Sequence, residues 1–401
     1  MASPTLLPVD RMRRALRGEA VDVLPAAPAY LSLFLADFER AYYIELYRRR
    51  MRGRLVYPVV HEEDTRFRAE ALYQSYGIFR VRPDWMEIDR GASRAWAERT
   101  EIVCREDGTL CYRDRLSGTE VPMDEVPLPR GDGLPAPPDA PRGDLWDLSA
   151  EWRDLEEVES RLPLLKSEEL LARGDFDLPR QVVADYGERY FLSTVLDTPF
   201  SSAYDLLGFQ GLMLVQHDRP ELLHRLLERQ LRRAQEEMAA WANVGIHGVY
   251  VEEVFTGADM ISPRSYDEFV FAYNQPYFHH LRSLGILSIH YVCGDVIPRL
   301  ERIAGLEVDA IAVEESKKSF RIELAEVVER VAGRATVLGN IDTIRFGLHG
   351  TMEEMAAEVR RQAAIGARAR GFVVSTGSPF PPDTNPRLID TLVATAHSLP
   401  G

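Results

Sequence analysis

The sequence predicts a single α/β domain of the (β/α)8 TIM-barrel class, with helical and hairpin insertions in its N-terminal half. From residue 190 onward, apolar strands alternate with amphipathic helices, which implies parallel strands joined by right-handed crossovers. The length of 401 residues suits one barrel with insertions, and polar residues follow the predicted strands at the same end. An open doubly wound sheet is the alternative that this alternation allows.

The early part of the chain, residues 18–189, carries two predicted strands among several insertions. The strands are predicted at 24–34 and 77–88, and helices at 10–17, 36–52, 62–76 and 145–174. Residues 100–113 predict a hairpin around Asp107 and Gly108, and a two-residue turn there sets Cys104 directly opposite Cys111. Residues 122–142 are rich in Pro, Gly and Asp, which predicts a surface loop or linker.

The second part, residues 190–401, supplies six more strands and completes one domain that covers residues 1–401. These strands are predicted at 190–196, 248–251, 286–291, 310–313, 335–338 and 371–375. The helices between and after them are predicted at 201–215, 220–243, 263–284, 296–304, 322–332, 352–365 and 386–398. Together with the two early strands this gives the eight that a closed barrel requires.

The composition restricts the class of partner. A net charge of −15 argues against a nucleic-acid-binding protein, because the phosphate backbone is bound by clustered Lys and Arg. No window approaches the roughly 18 to 20 apolar residues of a membrane helix, and the N-terminus lacks the apolar core of a signal peptide. Three cysteines fit a reducing compartment. We therefore expect a cytoplasmic protein that binds neither nucleic acid nor a membrane.

Polar side chains collect where the predicted strands end, which is the rim that carries the reactive residues of TIM barrels. They are Asp197, Glu252, Glu253, His290, Cys293, Glu314, Glu315, Asn340, Asp342, Ser375 and Ser378. A thiol and an imidazole three positions apart, at Cys293 and His290, can reach one metal ion. Because neighbours on a strand point to opposite faces, at most one residue of each glutamate pair is expected to face the centre.

Several segments are similar to those of the uroporphyrinogen decarboxylase superfamily, which includes zinc-dependent methyltransferases of the methylcobalamin:coenzyme M type. The segments are Arg-Ala-Leu-Arg-Gly-Glu at 14–19, Pro-Phe at 199–200, Asp-Arg-Pro-Glu-Leu at 218–222, Ile-Ser-Pro-Arg-Ser-Tyr-Asp-Glu-Phe at 261–269, Tyr-Val-Cys-Gly at 291–294, Leu-Gly-Asn at 338–340 and Gly-Ser-Pro-Phe-Pro-Pro-Asp-Thr at 377–384. The resemblance implies a TIM barrel. It favours the methyltransferase branch, because residues 29–34 lack the arginines with which the true decarboxylase holds a substrate bearing many carboxylates.

The methyltransferase branch carries His-x-Cys before the glycine and a second Cys near the last strand. Here Cys293 matches the first Cys, Tyr291 occupies the His position, His290 stands one residue earlier, and Ser378 replaces the second Cys. The resemblance therefore implies a Zn²⁺ site formed by His290, Cys293 and one of Glu252 or Glu253, with Glu252 favoured, and a corrinoid or other tetrapyrrole as carrier or substrate. A shift of one position along a strand turns a side chain to the other face, so His290 and Tyr291 cannot both face the site unless the strand ends or bulges there.

Three functions remain open on these residues. The first is metal-assisted methyl transfer between a corrinoid and a small acceptor. The second is metal-free decarboxylation of a tetrapyrrole-like acid, and the third is a non-catalytic barrel that binds a corrinoid or its partner protein. The catalytic candidates are Glu252, Glu253, Glu314 and Tyr291, and the substrate-binding candidates are Asp197, Asn340, Asp342 and Ser378. Candidate partners are the small-molecule or corrinoid substrate, a corrinoid protein and a second copy of the chain.

Overall fold

The computed structural model describes residues 5–124, 158–160 and 162–401, which form a mixed α/β fold with two sheets. The strands are β1 (Val56–Pro58), β2 (Trp85–Glu87), β3 (Thr100–Cys104), β4 (Leu110–Asp114), β5 (Glu120–Pro122), β6 (Phe191–Asp197), β7 (Gly248–Glu253), β8 (Leu287–Val292), β9 (Ala310–Val313), β10 (Thr336–Leu338) and β11 (Phe372–Val373). The α-helices of eight or more residues are α1 (Pro8–Arg17), α2 (Leu31–Arg50), α3 (His61–Ser75), α4 (Asp177–Tyr186), α5 (Pro199–Asp218), α6 (Pro220–Val244), α7 (Ala272–Ser283), α8 (Leu324–Val331), α9 (Met352–Gly366) and α10 (Pro386–His397). Shorter helices lie at Arg94–Arg99, Ser167–Arg173 and Leu300–Ile303, and π-helical turns at Tyr266–Phe271 and Thr343–Leu348.

The main sheet contains seven parallel strands in the order β11-β10-β9-β8-β7-β6-β2. Five of its six neighbouring pairs join strands that are consecutive in the chain, as repeated strand-helix units with right-handed crossovers produce. The concave face holds one apolar cluster, which includes Trp85, Phe191 and Tyr250. The other face packs against the helices and forms the larger core. This curled sheet matches a TIM-barrel-like fold.

The strand predicted at 24–34 is wrong, because helix α2 begins at Leu31 and only isolated bridges form before it. The backbone of residues 25–27 nevertheless forms hydrogen bonds next to both edge strands of the sheet. The Ala27 N–H donates to the Val374 carbonyl at 2.9 Å, and the Asp84 N–H donates to the Ala26 carbonyl at 2.9 Å. Pro25 lacks a backbone N–H, as does Pro28, which limits a regular ladder along this segment.

The N-terminal insertion forms its own antiparallel sheet in the order β1-β3-β4-β5, packed against α2 and α3. The predicted hairpin at 100–113 is confirmed, but its register corrects the expected cysteine pair. Cys104 lies opposite Leu110 and Cys111 lies opposite Val103, and both thiols are free. Most of the predicted loop at 122–142, and the first part of the predicted helix at 145–174, lie outside the described residues.

The insertion is held together by a buried ion pair inside α3. Arg68 Nε lies 2.6 Å from Asp64 Oδ2, and both side chains are almost fully buried. Tyr47 donates its hydroxyl proton to Asp64 at 2.6 Å, and Tyr43 does the same from the preceding turn of α2. The Asp64 carboxylate on α3 therefore binds both Arg68 and the two tyrosines of α2, and so joins the two helices. In the described part of the chain, every helix is too short or too polar to cross a bilayer.

Candidate active site

The register of β6, β7 and β8 decides which side chains reach the concave face of the sheet. Asp197 is aligned with Glu252, and Glu252 is aligned with Tyr291. Tyr291 belongs to the concave cluster, so the aligned carboxyls share its face. The neighbouring residues on β7 and β8, Glu253 after Glu252 and His290 before Tyr291, point the other way, toward the helices.

Three tyrosines form the wall of the site on the concave face. The ring centroids of Tyr250 and Tyr291 are 5.3 Å apart, and Tyr30 lies edge-on to both at 5.4 and 5.7 Å. The Tyr291 hydroxyl donates to the Gly377 carbonyl at 2.7 Å, which fixes its ring against the loop after β11. All three rings are buried, so the wall is rigid and presents mainly aromatic surface.

Tyr30 reaches this wall from the start of α2, where its backbone adopts a left-handed conformation with φ 55°. Glu87 holds it there, because the Tyr30 N–H donates to one carboxylate oxygen at 2.8 Å and the Ser32 N–H donates to the other at 2.9 Å. Burial raises the pKa of Glu87 to about 7 although these two hydrogen bonds oppose the shift. Sequence reasoning missed both residues, because Tyr30 and Glu87 lie inside the apolar runs at 24–34 and 77–88 that predict strands.

Cys293 follows β8 and packs against the tyrosine cluster. Burial, with Glu314 and Glu252 nearby, raises the pKa of the Cys293 thiol well above its ordinary value. The chain then turns at Gly294, whose φ of 90° favours glycine, and the Gly294 N–H donates to a Glu314 carboxylate oxygen at 2.7 Å. Cys293 is therefore held as a neutral thiol in the arrangement that the structure shows.

Three carboxyl groups at this end of the sheet have raised pKa values. Burial raises the pKa of Glu252, and Asp205 and Glu314 add to the effect, while the Tyr30 hydroxyl opposes it. Burial beside Glu252 raises the pKa of Asp197 to about 7. Burial is also the main cause of the raised pKa of Glu314. Such groups hold a proton at pH values where an exposed carboxylate has lost it, which suits general acid catalysis.

His290 and Glu253 form a buried pair on the opposite face. His290 Nε2 lies 3.1 Å from Glu253 Oε2, and both side chains are fully buried. Thr256 donates to the second carboxylate oxygen at 2.7 Å, and Asn274 donates to the first. Burial by itself raises the pKa of Glu253, but His290 and these two donors lower it overall. The Phe278 ring lies 4.7 Å from the imidazole.

This placement does not fit the predicted zinc site or a catalytic role for Glu253. His290 pairs with Glu253 on the helical face, whereas Cys293 packs against the concave cluster, so neither predicted set of three ligands is brought together. Within residues 5–124, 158–160 and 162–401, no group of three His, Cys, Asp or Glu side chains is arranged to hold a metal ion. The physical reason is strand alternation, because β8 continues through Val292 without a bulge and turns His290 to the helices.

The remaining predicted binding residues have partners within the protein. Ser378 donates to Glu315 at 2.8 Å and contacts Lys317 Nζ at 3.1 Å. Asn340 donates to the Glu314 carbonyl at 3.1 Å. Asp342 accepts hydrogen bonds from the backbone at the start of the π-helical turn, so it caps that turn.

Lys317 is a third residue that sequence reasoning missed. Its ammonium group is paired with Glu315 and lies 3.7 Å from Glu314. The signal was present, because Lys317 is one of only three lysines in the chain and stands two residues after a strand-end glutamate pair. The lysine places one positive charge at the acidic end of the sheet.

Comparisons with known proteins agree with this architecture. The family model for uroporphyrinogen decarboxylase (URO-D) matches residues 149–399. Uroporphyrinogen decarboxylases of Cupriavidus necator and Cupriavidus metallidurans are 25% and 27% identical to the chain over 232 and 195 residues. These matches cover 55% and 47% of this chain, and 62% and 51% of the two relatives, which is less than two thirds of their length.

A solved methyltransferase from Methanosarcina mazei has the same overall fold. Its TM-score to this chain is 0.63, and the match covers 98% of this chain and 99% of that protein at 18% sequence identity. Because the identity is low, this likeness concerns the fold. Taken with the family model, which spans more than half of the sequence, it shows that the chain belongs to the uroporphyrinogen decarboxylase family.

Proposed function

We propose that this chain is an enzyme that transfers a methyl group between a corrinoid carrier and a small molecule, with Glu252 holding the proton that the reaction exchanges. The observation that carries the proposal is the pair of carboxyls Asp197 and Glu252. They are aligned across two strands beside a wall of tyrosines, and burial raises the pKa of each. The likeness of the fold to a methyltransferase supports the same reaction class.

The chemistry exchanges one proton for each methyl group that a neutral oxygen, nitrogen or sulfur atom gives up or accepts. When a methyl group leaves an oxygen, nitrogen or sulfur atom of the small molecule, that atom keeps the bonding electron pair and takes the proton from Glu252. In the opposite direction the Glu252 carboxylate removes the proton from the acceptor before its electron pair bonds the methyl group. A carboxyl whose pKa lies near the working pH performs both steps. The Tyr30 hydroxyl lies close enough to Glu252 to lower the pKa of this carboxyl against the effect of burial.

The corrinoid would supply or receive the methyl group, and the chain would provide the surface and the proton. The buried rings of Tyr30, Tyr250 and Tyr291 pack against one another and form a rigid aromatic support beside these carboxyls. No step is assigned to zinc, because His290 faces one side of the sheet while Cys293 and Glu252 lie on the other. Cys293 is then a lining residue with a protonated thiol.

Decarboxylation is the second candidate, because the curated relatives are uroporphyrinogen decarboxylases. A protonated Glu252 could also deliver a proton to the carbon from which carbon dioxide leaves. A substrate with many carboxylates would meet Asp197, Glu252 and Glu314 at this end of the sheet. The nearby cation Lys317 offers it little compensation, because its ammonium group is already paired with Glu315. We therefore rank methyl transfer first.

The test measures both reactions on the same preparation. The full chain is incubated with reduced cobalamin and methylated oxygen, nitrogen and sulfur compounds, or with methylcobalamin and thiol acceptors, and the visible absorbance of the corrinoid reports transfer. Carbon dioxide release from uroporphyrinogen is followed in parallel. We expect corrinoid-dependent transfer that Glu252→Gln reduces by roughly 10²- to 10⁴-fold, the usual range for a general acid.

The matched control is Glu353→Gln, which alters an exposed glutamate at the start of α9. It should keep the wild-type rate. Carbon dioxide release without methyl transfer would establish the decarboxylase instead. Cobalamin binding without turnover of either kind would leave a binding protein and overturn the catalytic proposal.

A further inference from the structure

A cavity of about 380 Å³ opens beside β6, on the side from which β2 has already departed. Strand β2 pairs only with Phe191–Ser193, so residues 194–197 of β6 lack that neighbour and line the cavity. Helices α5 and α6 form the opposite wall. The volume lies within the range of small-molecule sites, roughly 300 to 1,000 Å³.

One part of the cavity is acidic. Asp197 and Asp205 both line it, and neither forms an ion pair with any residue that the structure describes. The charged groups near Asp197 are Glu252, Asp205 and Glu237, all of them acids. Two carboxyls without a cationic partner are stabilised by a positive charge from outside the chain.

Another part of the cavity provides hydrogen-bond donors, from Arg233 and Trp241. Arg233 is exposed at the cavity and donates to Gln230 Oε1 at 2.8 Å, while Glu237, which also lines the cavity near Arg233, lies 3.3 Å from Arg90. The guanidinium therefore keeps donors for a further oxygen ligand. Trp241 also lines the cavity and is 1% exposed, yet its indole N–H has no hydrogen-bond acceptor among the described residues. Buried donors of this kind are usually satisfied, and a ligand oxygen would satisfy this one.

We propose that this cavity binds a small zwitterion, with its cationic group at Asp197 and Asp205 and its carboxylate at Arg233 and the Trp241 indole N–H. A ligand with only a positive charge leaves the two donors unsatisfied. A ligand with only a negative charge meets the two carboxyls. The lining thus selects molecules that carry both charges, such as amino acids and betaines.

The position of the cavity connects it to the active site. Asp197 is aligned with Glu252, so the cationic end of the ligand lies toward the proton-holding carboxyl. That this ligand donates or accepts the methyl group rests on the proposed function. That it binds does not, because binding depends only on the cavity.

Binding is tested by titration calorimetry of the full chain at neutral pH. The zwitterionic probes are glycine, glycine betaine and taurine, and the single-charge probes are tetramethylammonium and acetate. We expect at least one zwitterion to bind about tenfold or more tightly than both single-charge probes. Arg233→Gln and Asp197→Asn should each weaken that zwitterion by about tenfold or more, since each removes one end of the site.

Arg232→Gln is the matched control, because Arg232 is the neighbour of Arg233 on α6, is exposed as Arg233 is, and does not line the cavity. It should bind like the unaltered chain, and melting curves of every variant confirm folding. Equal binding of glycine betaine and tetramethylammonium, or no binding of any zwitterion at about 10 mM, would overturn the proposal. Zwitterion binding without corrinoid-dependent turnover would instead retain this site and reject the proposed reaction.

Discussion

Replacing His290 by alanine tests the assignment of this histidine to the helical face of the sheet. In the wild type, the imidazole is fully buried and bonded to the Glu253 carboxylate, which also accepts from Thr256 and Asn274. His290→Ala leaves a buried carboxylate with two of its three side-chain donors and opens a space beside Phe278. The fold should therefore lose stability even though the residue lies away from the tyrosine wall.

The size of the loss follows from the burial of both partners. Removing one partner of a buried ionic pair costs about 3 to 5 kcal/mol. For a chain of 401 residues, we expect the melting temperature to fall by roughly 4 to 6 °C, using about 1.2 °C for each kcal/mol. A surface histidine offers the comparison, because His349→Ala alters an exposed residue after β10 and should change the melting temperature little.

The loss should also depend on pH. The pKa of Glu253 is lowered in the folded protein, so its stabilising contribution is present above the pKa of an unfolded glutamate and disappears as the pH falls through the folded value. In His290→Ala, Glu253 has lost the partner that favours its charged form, so keeping the buried carboxylate ionised costs more free energy. The difference in unfolding free energy between wild type and variant should be greatest at neutral pH and become smaller in acid.

The assay is thermal and urea unfolding of wild type, His290→Ala and His349→Ala between acid and neutral pH. A destabilisation below about 1 kcal/mol would contradict the buried pair, because that is within the range of ordinary surface changes. A strong chelator provides the second test. If chelation alone destabilised the wild type as much as His290→Ala does, the imidazole would be acting as a metal ligand and the reasoning would fail.

The other predictions concern the wall, the acid and the insertion. Tyr291→Phe removes the hydroxyl that donates to Gly377 and should lower the free energy of unfolding by about 0.5 to 1.5 kcal/mol in urea titration, whereas an unchanged midpoint would contradict the bond. Asp197→Asn removes a carboxyl with a pKa of about 7, so the pH–rate profile of methyl transfer should lose an ionisation near neutrality. A profile of identical shape would show that the ionisation of Asp197 does not affect the reaction. Arg68→Met leaves Asp64 buried without its cation and should cost about 3 to 5 kcal/mol in the same titration, and a cost under 1 kcal/mol would argue against the pair.

The regular half of the fold could be predicted because its signals are local. Short apolar runs separated by amphipathic helices gave β6 to β9 to within about two residues at each end. The segment at 24–34 was mispredicted because it is apolar but its prolines, together with contacts to both sheet edges, leave it without a regular ladder. Its last residues instead begin α2, whose start is fixed by Glu87 from another part of the chain.

The candidate site was predicted in part. The sequence indicated that reactive groups collect at the strand ends, and Glu252, Glu314, Asp197 and Cys293 do share surroundings there. It did not indicate Tyr30, because that residue joins the site only through the packing of α2 against the sheet. Partners distant in sequence leave no periodic signal.

The sequence by itself determined that adjacent residues on β8 point to opposite faces, since side chains alternate along any strand. It could not determine which of His290 and Tyr291 faces the concave side. Only the tertiary structure decided this, because the choice depends on contacts with Glu253 and Phe278 behind the sheet and with Tyr250 in front of it. Those contacts exist only once the strands are in register and the helices have covered one face.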